Sequence, residues 1–303
     1  MIKKPLPSPG NQRKLTVPEL NRLAKKLVRQ ADEHKGNAGK VLLIGGDAGK
    51  AGAIILAGLA ALYSGAGWTH IAMLDSASAH LINSYPELML IDAMRFSPKQ
   101  IQRNINPDVI AIGPGLGFSK AAKNYLRQVL SSEHILILDA DALHLLANNA
   151  VLMNALNARS FPAIITPHAG EAASLLQTDA ASIQANRPHA LLDLIRRTNA
   201  IVVLKGQHTL IGSPTQKTLV CPFGNPGMGT AGMGDVLTGC VAALTAQGIQ
   251  HGLDAWGATI LAVYLHALAG DSLAKKGIGP IGMTASELSQ EIRTMLNKLI
   301  SQK

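Results

Sequence analysis

The run Gly224-Asn225-Pro226-Gly227-Met228-Gly229-Thr230-Ala231-Gly232-Met233-Gly234-Asp235 puts five glycines in eleven residues directly before a single carboxylate. An apolar stretch, Val236 to Ala246, follows and reads as a buried helix. Glycine lets a backbone turn tightly and come close to a ligand. Bare N–H groups and the dipole at a helix start favour phosphate oxygens. A carboxylate repels an anion at such a place, so Asp235 needs a chemical reason to stand there. Taking the proton of a hydroxyl that attacks phosphorus supplies one. A lone Gly-x-Gly-Asp is more often a turn with an ordinary first-turn acid. The length of this loop, and the motifs elsewhere in the chain, favour the chemical reading.

Other phosphate fingerprints fit poorly. Gly45-Gly46-Asp47-Ala48-Gly49-Lys50-Ala51 suggests a P-loop, but its spacing is one residue short and no Ser or Thr follows the lysine to hold Mg²⁺. Gly113-Pro114-Gly115-Leu116-Gly117 follows a strand-like run with the wrong spacing for a dinucleotide fingerprint.

These residues need a scaffold, and the chain is long enough to supply it. Its 303 residues are 47% hydrophobic and 16% charged, which suits one large α/β domain with an ample core. Aromatics make up only 3%, so small aliphatic residues must fill that core. The two cysteines, Cys221 and Cys240, lack metal-ligand spacing and read as small hydrophobes of a reducing, cytoplasmic compartment. Met1 to Gly10 has two lysines but no apolar segment of the signal-peptide type. The run Ala255 to Ala269 is the most membrane-like, yet too short and interrupted by Tyr264 and His266, so no membrane span is expected. The net charge of +9 is scattered, with no basic stripe and no set of aromatics for stacking. It therefore points to polyanionic small molecules rather than nucleic acid.

Residues 17–31 read as an amphipathic helix with Thr16 as cap, Pro18 in the first turn and Leu20, Leu23, Leu27 and Val28 on one face. Strand-length apolar runs follow at Val41–Ile44, Trp68–Leu74, Val109–Ile112, Ile135–Leu138, Ala163–Ile165 and Ile201–Leu204. Helical patterns lie between many of them: Ile54–Tyr63, Lys120–Leu130, Gly170–Leu176 and Pro188–Arg197. This alternation predicts a mostly parallel sheet with helices on both faces. His208–Gly212 and Thr218–Pro222 read as an antiparallel edge pair, and Asp254–Leu273 and Thr284–Leu299 as closing helices. Ligands of such sheets bind beyond the carboxyl ends of the strands. Gly45-Gly46, Gly113–Gly117, Asp139–Asp141, Thr166–Glu171, Lys205–Thr209 and the glycine loop all fall at that end and form one rim.

The order of these motifs resembles that of the ADP-dependent (S)-NAD(P)H-hydrate dehydratases of the ribokinase-like superfamily. The resemblance runs through His34-Lys35-Gly36, Gly52-Ala53, Gly113–Gly117, Asp139-Ala140-Asp141-Ala142-Leu143, Thr166-Pro167-His168-Ala169-Gly170-Glu171, Val203-Leu204-Lys205-Gly206 and Gly234-Asp235-Val236-Leu237. It covers residues 34–300. The Gly-Asp element alone is shared with many small-molecule kinases; its combination with Pro-His-x-Gly-Glu, Lys-Gly and Asn-Pro-Gly-Met is far more specific. Asp47 and Met233 stand where the family usually has Ser and Thr, and Ala231 where glycine is common.

The resemblance implies a three-layer α/β/α fold. Residues 34–303 would form one catalytic domain behind a helical lead-in over 1–33. The implied activity is dehydration of the S form of hydrated NADH or NADPH, with ADP converted to AMP and phosphate. Asp235 would be the base. The N–H groups of Gly232, Met233 and Gly234 would hold the phosphoryl group. Lys205, Gly206, Gln207, His208, Thr209 and Gly234 would meet AMP or ADP. Ala53, Gly115, His168 and Asp235 would contact the hydrated nicotinamide nucleotide. Asp139 and Asp141 stay open between ligand-directed and capping roles, Glu171 between site and helix start. His266 reads as a packing histidine. No His-Glu-x-x-His pattern or cysteine cluster is present, so no protein-bound zinc is expected, whereas Mg²⁺ would arrive on the nucleotide phosphates. Relatives often carry an N-terminal epimerase domain, for which this chain has no room, so a separate epimerase is the expected partner. A homotetramer is also implied. The alternatives are a vitamin-precursor kinase on the same fold and a non-catalytic nucleotide-binding protein.

Overall fold

The computed structural model describes residues 13–302. Residues 1–10, read above for a signal segment, and the outer ends of the lead-in and the expected domain lie outside that range.

Among the described residues nine strands form one sheet: β1 (Lys40–Gly45), β2 (Trp68–Met73), β3 (Met89–Asp92), β4 (Val109–Ile112), β5 (Ile135–Leu138), β6 (Ala163–Ile165), β7 (Ile201–Leu204), β8 (Leu210–Gly212) and β9 (Leu219–Val220). Their spatial order is β3-β2-β1-β4-β5-β6-β7-β8-β9. From β3 to β7 every pairing is parallel, and β7-β8 and β8-β9 are antiparallel. The chain first builds outward from β1 to β3 and then crosses to β4, so the order reverses between β1 and β4. A crevice opens at such a switch point.

Strand residues alternate between two cores. Val41, Leu43, Val109, Ala111 and Ile137 face one helical layer, which contains Ala51–Tyr63, Met233–His251, Ala255–Lys275 and Ala285–Ser301. Leu42, Ile44, Ile110, Ile112, Leu136 and Leu138 face the other, built from the helices between Pro98 and Thr198. Apolar residues on both faces explain the uninterrupted hydrophobic strands. The three-layer α/β expectation is met.

Several boundaries differ from the sequence reading. The first helix is Val17–Lys25 and stops short of residue 31, because the chain tightens into i→i+3 bonds such as Leu27 N–H to Ala24 O at 2.9 Å. Leu20, Ala24 and Leu27 of the expected lead-in join the main core. β3 escaped the periodicity argument because it is a half-exposed edge strand of four residues. Ala140–Ala147 and Ala150–Asn157 are two further helices after β5. The closing helix Ala255–Lys275 is longer than the apolar run that marks it; by length and composition it could cross a membrane. However, 72% of its most apolar window is buried inside the fold, as befits a core helix.

Candidate active site

At the switch point the loops after β1 and β4 interlock. Gly46 N–H donates to Pro114 O at 3.1 Å, and Asp47 N–H to Gly115 O at 2.7 Å. Gly115 has φ +59°, a conformation suited to glycine, and any Cβ there would stand 2.5 Å from Lys50 O. Ala53 N–H donates to the same carbonyl at 3.2 Å. Ala53 and Gly115 thus share one rim, organised around Lys50, whose ammonium pairs with Asp141 at 2.9 Å. Asp141 also accepts from Gly117 N–H at 2.8 Å, so its carboxylate stitches the rim together.

The glycine loop forms a second rim. Asn225 Oδ1 accepts from Gly227 N–H at 3.0 Å and starts a short 3₁₀ turn, Pro226–Gly229. Gly232, at φ +88°, then swings the chain into the helix Met233–His251. Asp235 is its third residue. Met233 N–H is already spent on Thr230 O at 3.4 Å. Among the described residues Gly232 and Gly234 N–H have no acceptor, so two of the three expected donors remain open to a ligand.

One face of Ala255–Lys275 holds this loop at both ends. Asp271 accepts from Gly224 N–H at 3.0 Å and from the Asn225 amide at 3.2 Å. His266 Nε2 lies 2.9 Å from Met233 O. The His266 pKa is lowered to about 4, mainly by burial, so the ring is neutral and donates. Its packing role is therefore joined to a direct hold on the loop. Loss of a charge-assisted bond of the Asp271 kind costs about 1.5–3 kcal/mol. Asp271→Ala should weaken ADP binding roughly tenfold by calorimetry. Unchanged affinity would show that the loop keeps its shape without this anchor.

Between the loop and the strand ends lies a cavity of about 800 Å³. Lys205, Gly206, Gln207, His208, Thr209 and Gly234 line it, together with His168 and His266. Every residue assigned to AMP or ADP is therefore in one place. Of the residues assigned to the nicotinamide nucleotide, His168 lines the cavity, Asp235 directly follows the lining residue Gly234 without lining it, and Ala53 and Gly115 stand on the switch-point rim. His168 Nδ1 also caps its helix, accepting from Gly170 N–H at 3.0 Å and Glu171 N–H at 3.2 Å, while its Nε2 lies 3.4 Å from Glu171 Oε1.

Charged side chains gather beneath Asp235. Lys205 is not a solvated strand-end lysine: its ammonium turns inward to Asp139 at 2.8 Å and Glu171 at 3.7 Å. Burial alone would depress this ammonium, but the two carboxylates outweigh it and its pKa rises. Asp139 occupies the cap position of Ala140–Ala147 yet makes no cap bond. Instead it accepts from Lys205 and, at 2.7 Å, from Thr238 Oγ1. The Asp235 pKa is raised to about 7, first by burial and then by Asp139, against the opposing pull of Lys205. A carboxylate with that proton affinity is a competent base at neutral pH. The sequence reading missed the Asp139–Thr238 bond, although Thr238 falls three residues after Asp235 and so on the same helix face. Both cysteines are buried, and burial pushes their thiols up to about 12, which leaves them inert.

The carboxylates do not form a cage for a resident metal ion. Asp139 is occupied by Lys205 and Thr238, Asp141 by Lys50 and Gly117, and Glu171 accepts from His168 N–H at 2.8 Å.

The sheet order, the glycine loop feeding a helix and the acid beside a nucleotide-sized cavity define a ribokinase-like α/β protein. The chain belongs to the NAD(P)H-hydrate dehydratase family, whose model matches residues 41–294. It is 37% identical over 277 residues to the ADP-dependent (S)-NAD(P)H-hydrate dehydratase of Neisseria meningitidis serogroup B, covering 89% of both chains. It is 37% identical over 281 residues to the bifunctional NAD(P)H-hydrate repair enzyme Nnr of Moorella thermoacetica, covering 89% of this chain and 52% of that one. The chain thus spans about half the length of the bifunctional relatives it matches. Among solved structures it resembles the ADP/ATP-dependent NAD(P)H-hydrate dehydratase of Bacillus subtilis co-crystallized with ATP/Mg²⁺, with a TM-score of 0.81, 26% identity and coverage of 96% and 99% of the two chains.

Proposed function

We propose that this chain restores NADH and NADPH from the S form of their hydrates, converting ADP to AMP and phosphate. The observation that carries the proposal is Asp235: a base poised near neutrality, at the end of a phosphate-type loop, beside a cavity of about 800 Å³. The water added to the nicotinamide ring leaves a hydroxyl, which is a poor leaving group. Asp235 takes the hydroxyl proton as its oxygen attacks the terminal phosphorus of ADP, and AMP departs. Gly232 and Gly234 N–H groups hold the transferred phosphoryl group. The ring nitrogen then expels phosphate, and loss of a ring proton restores the double bond. Lys205 to Thr209 and Gly234 hold the AMP portion; Ala53, Gly115 and His168 hold the hydrated nicotinamide nucleotide. Mg²⁺ enters with the nucleotide.

Residues 34–303 act as one catalytic domain in this reading, in a cytoplasmic homotetramer that binds neither nucleic acid nor membrane. An NAD(P)H-hydrate epimerase is the proposed functional partner, because a site that takes only the S form leaves the R form to be converted first. Racemic hydrated NADH should then be consumed in two phases, rapidly for S and afterwards only as fast as R epimerises. Chiral separation of the residue should find it enriched in R, and added epimerase should abolish the slow phase. Equal, rapid loss of both epimers would contradict the assigned stereochemistry.

A further inference from the structure

We infer that Asp139 is a positioning residue that, together with Lys205, sets the proton affinity of Asp235 and ties the helix carrying this base to the nucleotide-facing loop. The inference rests on Asp235 being the base. Asp139 is 1% exposed and ends the run of β5. Its neighbour Ala140 has φ +47°, a left-handed conformation that a Cβ disfavours. At this turn the Asp139 carboxylate leaves the helix cap and points to two elements at once. One oxygen meets Lys205 Nζ at 2.8 Å, where β7 opens into Lys205–Thr209. The other meets Thr238 Oγ1 at 2.7 Å, one turn along the helix from Asp235. The pair also lies against the backbone beside the base: a Cβ on Gly234 would stand 3.2 Å from Lys205 Nζ and 3.8 Å from Asp139 Oδ2.

The remaining groups facing Asp235 are Glu171 and Asp141, both negative. Asp141 is itself paired with Lys50, and the neutral His266 ring stands behind the carbonyl of Met233. Within this set Asp139 and Lys205 act with opposite signs. The carboxylate makes Asp235 harder to deprotonate, and the ammonium makes it easier. The two must be balanced, because removal of either leaves a buried charge uncompensated.

The test is the pH dependence of kcat/KM for S-hydrated NADH at saturating ADP, which reports the essential base of the enzyme–ADP complex that meets the hydrate. The wild-type rate should rise with pH through about 7, where Asp235 loses its proton. Asp139→Asn removes the opposing carboxylate, so the acid limb should move down by about one pH unit. Lys205→Gln removes the favouring charge, so the limb should move up by about one unit. The double variant should return near the wild-type limb, and it keeps the test intact if the Asp139 variant folds poorly. Lower rates with the limb unmoved in both single variants would overturn the inference. Asp235→Asn separates the two claims: near-normal turnover there would remove the base itself, whereas an inactive Asp235→Asn with unmoved limbs would sink only the role of the pair.

Discussion

Asp235→Asn should lower turnover of hydrated NADH by roughly 10²–10⁴-fold while ADP affinity stays within a small factor of wild type. The amide has nearly the shape of the carboxylate and keeps its place in the first turn of Met233–His251. It cannot take a proton from the attacking hydroxyl. The fold should not suffer, because burial and the neighbouring Asp139 already oppose the charged form of Asp235. Calorimetry with ADP, a thermal melt and the recovery of NADH absorbance provide the three readings. Loss of ADP binding in step with turnover would mean that Asp235 acts in nucleotide recognition and not as the base.

Gly113→Ala should be the most damaging small substitution in the switch-point loops. Gly113 sits at φ +137°, and a Cβ there would strike the carbonyl oxygen of Asp139 and stand 2.7 Å from its carbonyl carbon. Backbone cannot yield as a flexible side chain does. Backbone strain and overpacking together should cost about 3 kcal/mol of unfolding free energy. Because the displaced residue is Asp139, activity should fall further than stability alone explains. Denaturant unfolding and turnover measured on the same variant would check this, and wild-type values for both would show that the loop absorbs the extra methyl group.

The strands that proved legible in the sequence are those buried on both faces. Val109–Ile112, Ile135–Leu138 and Ile201–Leu204 match their predicted bounds because an unbroken apolar run of that length has little other use. Met89–Asp92 was not legible, since an edge strand can mix polarity freely. Asp139-Ala140-Asp141 read as a loop, yet it opens a helix, because the left-handed Ala140 leaves no mark in composition. The candidate site divides in the same way. Glycine spacing located the loop and Asp235, and the Lys205–Thr209 run converged on the cavity as expected. Side-chain direction was hidden. A lysine beside a glycine at a strand end reads as a nucleotide ligand, and tertiary structure adds that Lys205, while lining the cavity, is also paired with Asp139 and Glu171.

Product stoichiometry is the most direct test of the proposed activity. The purified chain, given S-hydrated NADH, ADP and Mg²⁺, should yield one AMP, one phosphate and one NADH for each hydrate consumed. A phosphorylated hydrate that accumulates without conversion to NADH, or bound ADP that is never cleaved, would contradict it.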